Sequence, residues 1–387
     1  MNIAIDIRHL AAPNQAGVGQ YTIEVIKRMV EQAPDDHFFL FAAGRPKTLA
    51  YLPAFTGKNV TVVTTHIPNR LLFFLFLLKL RTLESFLPVK PDILWLPNHN
   101  IMYTHLPYTL TVHDLSFDIF PDFFTWKDRL RYWVGRAKQQ TQSARHLLAV
   151  SASTKCDLQE RWYIDTNRIT VTPLAADSEY HAKEHPSDKS YLGVHGIKKP
   201  YILCLCTREP RKNLEAVVAA YGIWTTNLPP TPDPPPPDLI IAGGRGWKSK
   251  NLDTIIKLSD VHDHIKVIGY VPEKHKAALY RHAKAMIFPS FYEGYGLPAA
   301  EATACGIPVI ASANGSLPEV LGSYAIFVDP FNVTDIVQAL EQVNTYLRKG
   351  SGEQAKTSQS LETASWDKTA METLYVLRST AINEPVT

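Results

Sequence analysis

The feature of the sequence that most constrains the fold is a repeated alternation of short apolar runs with stretches of helical periodicity. The apolar runs, such as Ile3 to Asp6 and Tyr108 to Val112, are rich in β-branched and aromatic residues. Stretches with apolar residues at helical spacing, such as Tyr21 to Glu31 and Lys127 to Arg145, lie between them. This alternation is typical of βα units on a parallel sheet, so we predict an α/β protein.

The sequence contains two such series, which predicts two domains. The first series ends near Val150, and the second begins at Tyr201. The chain has 387 residues, whereas an ordinary domain has roughly 150. The polar stretch 177–199 lacks a sustained apolar period, so we predict the linker there, beside a cleft. The expected parts are a Rossmann-like domain over residues 1–180, a second over 198–365, and a final helix within 366–387.

Composition and charge exclude several classes of protein. Lys and Arg total 40 against 37 Asp and Glu, and the net charge of +3 does not provide the broad basic field of a nucleic-acid binder. Hydrophobic residues make up 45% of the chain, which argues against disorder. The longest apolar run, Leu71 to Leu78, is far shorter than the roughly 20 residues of a membrane span. Scattered cysteines and a first strand at Met1 to Asp6, in place of a signal peptide, predict a cytoplasmic protein.

The most informative pattern is a glycine turn bracketed by two glutamates, Glu293 and Glu301. An apolar strand precedes Glu293, and the turn at Gly294 and Gly296 leads into a helix whose first N–H groups can bind phosphate. In an open α/β sheet, ligands bind at the carboxyl ends of the strands. Two carboxylates with exposed amides between them suit a sugar and its phosphate. On spacing alone, a glycine turn with two surface glutamates remains an equal alternative.

A pair of adjacent cations, Arg211 and Lys212, follows another apolar strand and precedes a helix. Arg211 can bind a diphosphate through its planar guanidinium, and Lys212 can bind it as a point charge. Adjacent cations at such a turn are more often simply solvated. The Glu293 turn offers the matching site for an anionic ligand.

Two weaker signals lie in the first half of the chain. Gly17 and Gly19 belong to a loop between the first strand and a helix, but the loop lacks the third glycine of a dinucleotide fingerprint and the Lys-Ser/Thr of a P-loop. His113 directly follows a predicted strand and would face the same cleft. A lone histidine is more often structural than functional.

Taken together and in order, these motifs resemble the retaining glycosyltransferases of family 4, which have the two-domain GT-B architecture. The resemblance spans nearly the whole chain. Its most specific part is the E-x7-E motif formed by Glu293 and Glu301. The other matching motifs are Gly17-Val-Gly19, His113-Asp114, Glu209-Pro-Arg-Lys-Asn213 and Ala242-Gly-Gly244.

The resemblance implies a nucleotide-diphosphate sugar bound mainly by the second domain and an acceptor bound mainly by the first. It implies that Arg211 and Lys212 neutralise the diphosphate and stabilise the leaving group. Glu301 would bind the ribose hydroxyls, Glu293 would contact the donor sugar, and His113 would lie near the reacting carbon. The remaining expected donor-binding residues are Gly17, Gly19, Gly294, Tyr295, Gly296 and Leu297.

The family also implies retention of anomeric configuration, with the leaving phosphate helping to deprotonate the acceptor. We expect no cofactor and no metal, because Arg and Lys take the cation's role and the sequence has no Asp-x-Asp motif. Cys206 departs from the family, which often has glycine there, and this puts the shape of the donor pocket in question. The alternatives are a nucleotide-sugar epimerase of the same fold and a non-catalytic nucleotide-sugar-binding partner. The second alternative would be marked by loss of Glu293, Arg211 or Lys212.

The acceptor side is less well specified. Resemblance to mannosyltransferase-like members makes mannose the expected sugar, carried on GDP or UDP, and a glycan or lipid-linked molecule the expected acceptor in polysaccharide biosynthesis. Leu71 to Leu80 fits either a membrane interface, on the inner face of the membrane, or a buried helix of the first domain. The final helix resembles one that crosses back to the first domain in the family. Basic residues that suit either anionic lipid or solvent are Arg70, Lys79, Arg81, Lys127, Arg129, Arg131, Arg136 and Lys138.

Overall fold

The computed structural model describes residues 1–13, 17–229, 235–349 and 364–382, and the chain forms two compact units. The first unit, called the N-unit here, contains Met1–Leu115, Lys127–Leu174 and the stretch that begins at Ala364. The second, called the C-unit, contains Ser116–Trp126 and Ala175–Thr363. Each unit is built on one sheet.

The strands of the described residues coincide with the apolar runs of the sequence, and most of their side chains are buried. In the N-unit they are β1 Asn2–Asp6, β2 His37–Ala43, β3 Val60–Thr65, β4 Ile93–Leu96, β5 Tyr108–Val112, β6 His146–Ala149 and β7 Ile169–Val171. In the C-unit they are β8 Tyr201–Leu205, β9 Asp238–Ala242, β10 Ile265–Gly269, β11 Ala285–Phe288, β12 Val309–Ser312 and β13 Ala325–Val328.

The helices lie between the strands, as the alternating pattern predicts. The first eight are α1 Gly17–Gln32, α2 Pro46–Leu49, α3 Asn69–Leu77, α4 Ser116–Ile119, α5 Trp126–Val134, α6 Ala137–Ser143, α7 Ala152–Trp162 and α8 Asp188–Val194. The others are α9 Leu214–Thr226, α10 Lys250–Leu258, α11 Glu273–His282, α12 Leu297–Ala304, α13 Leu317–Leu321, α14 Val333–Lys349 and α15 Trp366–Ile382. No helix of the described chain combines the length and the apolar character that a membrane span requires.

Both sheets are parallel and have a point where the strand order changes direction. The N-unit sheet has the order β3-β2-β1-β4-β5-β6-β7, and the C-unit sheet has the order β10-β9-β8-β11-β12-β13. The order therefore switches between β1 and β4 in one sheet and between β8 and β11 in the other. Loops at the carboxyl ends of the two strands that flank a switch point diverge, which leaves room for a ligand.

The final helix, α15, packs in the N-unit. The residues that the sequence pattern aligns on one face, Trp366, Ala370, Leu374 and Leu377, are buried. Arg378 forms an ion pair with Asp36, with Nη2 2.8 Å from Oδ2. Burial of the apolar face and this ion pair join the end of the chain to its first sheet.

Two predicted helices are shorter than the sequence pattern suggested. Residues 127–145 form α5 and α6 instead of one helix, because Arg136 adopts a left-handed backbone with φ 50° at the junction. The helix that Leu71 to Leu80 suggested ends at Leu77, and Lys79 beyond it also has a left-handed backbone. A left-handed residue cannot continue a right-handed α-helix.

The unit boundaries also differ from the expected ranges of 1–180 and 198–365. Ser116–Trp126 groups with the C-unit, where the ring of Phe123 stacks on that of Phe291 at 5.1 Å. The larger part of the C-unit begins at Ala175, and the predicted linker contains α8. Asp188 of α8 is buried because its carboxylate accepts two hydrogen bonds from Arg281 of α11. An ion pair of this kind gives no apolar periodicity, so the sequence pattern missed the helix.

Candidate functional site

The switch point of the C-unit sheet brings together the two motifs that the sequence singled out. After β8 the chain makes a 3-10 turn, Pro210–Lys212, and α9 then begins. Between them, Asn213 has a left-handed backbone, and its side-chain amide donates to the carbonyl oxygens of Pro289 and Pro330. These hydrogen bonds fasten the loop after β8 to the loops after β11 and β13.

The two motifs meet in a buried network of ion pairs. Glu293 accepts a hydrogen bond from Arg211, with Oε2 2.9 Å from Nη1, and another from Lys212, with Oε1 2.5 Å from Nζ. Arg211 also pairs with Glu209, at 2.9 Å between Nη2 and Oε1. Side chains of all four residues are largely removed from solvent. One carboxylate therefore bridges two cations at the carboxyl end of the sheet.

The charge state of Glu293 follows from these contacts. Burial by itself would raise the pKa of the carboxyl group, but the charges of Arg211 and Lys212 lower the pKa to about 2. The carboxylate is thus ionised at neutral pH and stabilises both cations. An anionic ligand that binds Arg211 and Lys212 has to replace or share this internal anion.

The turn after Glu293 is held in one conformation by close packing. Gly296 has φ 90°, and a Cβ atom there would lie 2.4 Å from Cδ2 of Leu317. Gly315, with φ 62°, packs so closely that a Cβ atom would lie 2.7 Å from the backbone oxygen of Glu293. That oxygen also accepts a hydrogen bond from Oγ of Ser316 at 3.1 Å. Gly296 is required by its φ, and Gly315 is required by its φ and by the neighbouring backbone. Helix α12 begins directly after the turn, at Leu297.

Glu301 lies on α12 in a different environment from Glu293. It is buried and accepts a hydrogen bond from Tyr280, with Oη 2.7 Å from Oε2, while Nζ of Lys276 is 3.8 Å from Oε1. Burial raises the pKa of Glu301 to about 7, and the charge of Lys276 only partly opposes this. The two glutamates of the E-x7-E motif therefore have opposite pKa shifts.

The raised pKa of Glu301 predicts a specific pH dependence of stability. The unfolded chain loses this proton near pH 4.5, whereas the folded chain keeps it up to about pH 7. The contribution of Glu301 to the free energy of unfolding is therefore complete below pH 4.5. It falls as the pH rises from 4.5 through 7, by about 3 kcal/mol in total, and then stays constant. Glu301→Gln keeps an acceptor for Tyr280 and removes the titration. We expect denaturant titrations to show a wild-type stability that falls relative to this variant between pH 4.5 and 7.5, and parallel pH profiles would contradict the assignment. Glu341→Gln, on the exposed side of α14, is the control.

In the N-unit, the structure places His113 next to the start of α1. The ring of His113 meets Tyr21 edge-on, with centroids 4.9 Å apart, and Nε2 lies 2.8 Å from the carbonyl oxygen of Pro97. Burial lowers the pKa of His113, so the neutral ring is favoured. Gly17 and Gly19 form the first turn of α1, one turn before Tyr21, and a Cβ atom on Gly17 would meet nothing within 4 Å. These N-unit residues are thus neighbours of one another.

Sequence reasoning missed a polar group at the ends of β1 and β4. Arg8 binds the carboxylate of Asp6, with Nη2 2.6 Å from Oδ2, and Asn100 donates to the same oxygen at 3.2 Å. His9 lies nearby, 2.9 Å from Oγ1 of Thr22 on α1. Asp6 is the last residue of β1, Arg8 and His9 lie just beyond it, and Asn100 lies a few residues beyond β4. The rule that located Arg211 and Glu293, applied to β1 and β4, would have found them.

A second missed feature is the segment Ser116–Trp126, which packs beside the Glu293 turn. Phe123 stacks on Phe291, two residues before Glu293. The backbone oxygen of Phe123 accepts a hydrogen bond from the Trp247 indole at 2.7 Å, and that indole also stacks on Phe124. No sequence signal reveals this placement, because the segment follows a strand of the other sheet.

Comparison with known proteins supports the same interpretation. The family described as Glycosyltransferase Family 4 matches residues 16–180, and the family described as glycosyl transferases group 1 matches residues 192–355. The chain is 29% identical over 373 residues to the O-antigen chain mannosyltransferase B of Escherichia coli. This alignment covers 92% of the present chain and 94% of the relative.

Solved structures are similar over the whole chain. Sucrose-phosphate synthase from Thermosynechococcus elongatus aligns with a TM-score of 0.76 at 17% identity, over 99% of this chain and 100% of that one. Anabaena HepE in complex with UDP-glucose aligns with a TM-score of 0.71 at 15% identity, over 97% of this chain and 100% of that one. At these identities the likeness concerns the fold, two parallel sheets with interleaved helices.

Proposed function

Because the chain belongs to glycosyltransferase family 4 and has the GT-B fold, we propose that it transfers mannose, with retention and without a metal, from a nucleotide-diphosphate sugar to a lipid-linked glycan. The predicted family and fold class are confirmed, and transfer is the reaction of the family. The family and the mannosyltransferase relative favour transfer over the epimerase alternative. We propose four further points: that the sugar is mannose, that the donor is a nucleotide-diphosphate sugar, that the configuration is retained, and that the acceptor is a lipid-linked glycan.

The observation that carries the proposal is the pair of buried cations, Arg211 and Lys212, on an internal carboxylate at the switch point of the C-unit sheet. Two cations in the loop after β8, paired with a carboxylate in the loop after β11, suit a diphosphate. Since Glu293 already neutralises them, a donor would have to displace or share Glu293, which would free its carboxylate for sugar hydroxyls. The non-catalytic alternative would be marked by loss of Glu293, Arg211 or Lys212, and the chain has all three.

The proposed chemistry assigns one role to each remaining residue. Glu301 binds the ribose hydroxyls, and the amides from Gly294 to Leu297 face the sugar and phosphate. The bond between the sugar's anomeric carbon and the diphosphate oxygen breaks, and the acceptor oxygen bonds to that carbon on the same face. The acceptor proton passes to the leaving diphosphate, whose added charge Arg211 and Lys212 stabilise. His113, Gly17 and Gly19 of the N-unit keep their expected roles in donor binding as part of this proposal.

The name of the Escherichia coli relative supports mannose and a polysaccharide acceptor. The HepE complex shows that a protein of the same fold binds UDP-glucose, which supports a nucleotide-diphosphate sugar as donor without fixing the base or the sugar. Cys206, where the family often has glycine, directly follows β8 and precedes the loop that carries Arg211 and Lys212. The backbone oxygen of Cys206 would be only 1.8 Å from a Cβ atom placed on Gly243, so Gly243 allows the close approach of the chain after β8 to the chain after β9.

We further propose that α3 and α5 contact a membrane surface. The sequence left open whether α3 is buried or interfacial, and in the structure Leu72 and Phe76 are buried while Phe74 is exposed. Trp133 of α5 is 78% exposed. Exposed apolar residues flanked by cations suit the interface of an anionic bilayer. The other exposed apolar residues of this surface are Leu71, Leu78, Leu80 and Leu130.

The test of the proposed function is a thermal-unfolding panel with GDP, UDP, ADP and TDP and their sugar conjugates, GDP-mannose among them. A ligand that binds only the folded protein raises the unfolding temperature, and 100-fold saturation adds about 2.7 kcal/mol. We expect one base to give a clear shift, without added divalent metal and unchanged by EDTA. If no nucleotide shifts the transition, the proposed donor is wrong. The anomeric configuration of the product, read by NMR, then tests retention.

A further inference from the structure

The N-unit contains a groove to which neither the sequence motifs nor the proposed donor chemistry assigns a role. It has a volume of about 270 Å³ and lies between the end of α3, the loop after β4 and the junction of α5 with α6. Its apolar wall is formed by Phe76, Leu77, Ile101, Met102 and Val134. The groove is smaller than the pockets that enclose whole drug-sized ligands. It therefore suits one end of a larger, partly apolar molecule.

Two cations, Lys79 and Arg136, line the groove, and none of the residues around it is acidic. Nζ of Lys79 lies 5.8 Å from the centre of the Tyr103 ring, and Nη1 of Arg136 lies 3.4 Å from Oε1 of Gln139. Neither cation forms an ion pair with a carboxylate of the described chain. The groove thus combines an apolar wall with two cations that lack a counter-ion.

The backbone at these two cations is unusual. Lys79 has φ 56° and Arg136 has φ 50°, both in the left-handed region that glycine adopts without strain. Each residue stands just beyond the end of a helix, where glycine is the usual choice. Strained backbone of this kind is concentrated at ligand-binding sites.

The groove is connected to the polar group at the ends of β1 and β4. Ile101 lines the groove, and its backbone oxygen accepts a hydrogen bond from Nη2 of Arg8 at 2.9 Å. Asn100, the preceding residue, donates to Asp6, and its own backbone oxygen accepts from Gln140 at 2.7 Å. A ligand held in the groove would therefore place its attached groups close to the carboxyl end of the sheet.

Exposed apolar side chains continue from the groove. Leu78 and Leu80 flank Lys79, and Trp133 precedes the lining residue Val134. An apolar chain too long for the groove would lie on these side chains. The combination of two cations, an apolar wall and an apolar exit matches an anionic amphiphile better than a free sugar or a free phosphate.

We propose that this groove binds the lipid diphosphate end of the acceptor, with the diphosphate on Lys79 and Arg136 and the first carbons of the lipid chain on the apolar wall. The inference rests on the proposed function, because it assigns the lipid-linked part of the acceptor to a site in the N-unit. The glycan attached to the diphosphate then extends towards Asp6 and Asn100.

The experiment measures binding of farnesyl diphosphate to the full chain by calorimetry. The background is Arg211→Ala with Lys212→Ala, so that the proposed donor site cannot hold the diphosphate. We expect Lys79→Gln with Arg136→Gln to weaken binding at least about tenfold, since each cation contributes a charged hydrogen bond. Lys198→Gln with Lys199→Gln, an exposed basic pair before β8, should leave binding unchanged. Farnesol and inorganic pyrophosphate, which each lack half of the ligand, should both bind more weakly than farnesyl diphosphate.

Several results would overturn the proposal. One is unchanged farnesyl diphosphate affinity in the Lys79 and Arg136 variant; another is binding that is lost already in the Arg211 and Lys212 background. Phosphatidylglycerol vesicles test the other source of phosphate: if the groove variant loses only vesicle binding, the cations contact the membrane surface instead. Melting curves establish that each variant is folded. In the native donor-site background, the groove variant should keep the nucleotide response of the thermal panel, so the two proposals fail separately.

Discussion

Replacing both Arg211 and Lys212 by alanine is expected to lower kcat/KM for sugar transfer by at least about 10³-fold. The two cations are the groups best placed to stabilise charge on a leaving diphosphate, and loss of one such group at an active site commonly costs about 10² to 10³-fold. The measurement is steady-state transfer with the sugar nucleotide found by the thermal panel. The matched control is Lys198→Ala with Lys199→Ala, a basic pair at the opposite end of β8.

This experiment has to separate lost catalysis from lost folding. Without Arg211 and Lys212, the buried carboxyl group of Glu293 has no cation close by, so its pKa rises and the fold is destabilised. A triple variant that adds Glu293→Gln removes this buried carboxylate, so that only Glu209 has lost its cationic partner. We expect the double and the triple variant to be equally inactive while the triple is the more stable. Transfer that survives in a folded triple variant would remove these residues from the catalytic site.

Removing the Glu293 carboxylate alone is expected to destabilise the C-unit by about 3 kcal/mol. In Glu293→Gln the two cations remain buried next to each other, and breaking a buried ion pair from one side typically costs about 3 to 5 kcal/mol. Arg211 keeps its contact with Glu209, which places the expected loss at the lower end of that range. Denaturant unfolding followed by tryptophan fluorescence measures the effect, with Glu215→Gln on α9 as the exposed control.

The same variant tests whether these cations bind a diphosphate. In the wild type an incoming anion has to displace Glu293 or share the two cations with it, whereas in Glu293→Gln the cations have no such competitor. We therefore expect inorganic pyrophosphate to raise the unfolding temperature of Glu293→Gln more than that of the wild type. Equal shifts in the two proteins would show that pyrophosphate binds elsewhere, and the diphosphate site would have to be sought at another group.

Most of the fold could be predicted from sequence because its signals are local. A buried strand of a parallel sheet is a short apolar run, so β1, β5, β8 and β11 were all visible as such. The helix of residues 127–145 was predicted as one piece because periodicity does not reveal a backbone that turns left-handed at Arg136. Likewise α8 is stabilised by Asp188 and its distant partner Arg281, and a single polar residue gives no helical pattern.

The candidate site was partly predictable for a different reason. Glu293, Arg211 and Lys212 each lie in the loop that follows an apolar strand, and the carboxyl ends of parallel strands share one edge of a sheet. Asp6 and Asn100 obey the same rule but belong to no motif that was singled out. Phe123 could not be predicted, because its contact with Phe291 joins residues far apart in the chain.

By itself, the sequence determined the α/β class, the family, the parallel sheets and the set of charged residues that follow their strands. These properties depend on apolar periodicity and on short motifs, which are written in neighbouring residues. Only the tertiary structure decided which charges meet. It pairs Glu293 with two cations while it surrounds Glu301 with Tyr280 and a more distant Lys276, so two glutamates of one motif have opposite pKa shifts. Burial and partner distance set the charge state of a side chain, and both depend on residues that folding brings together from distant parts of the chain.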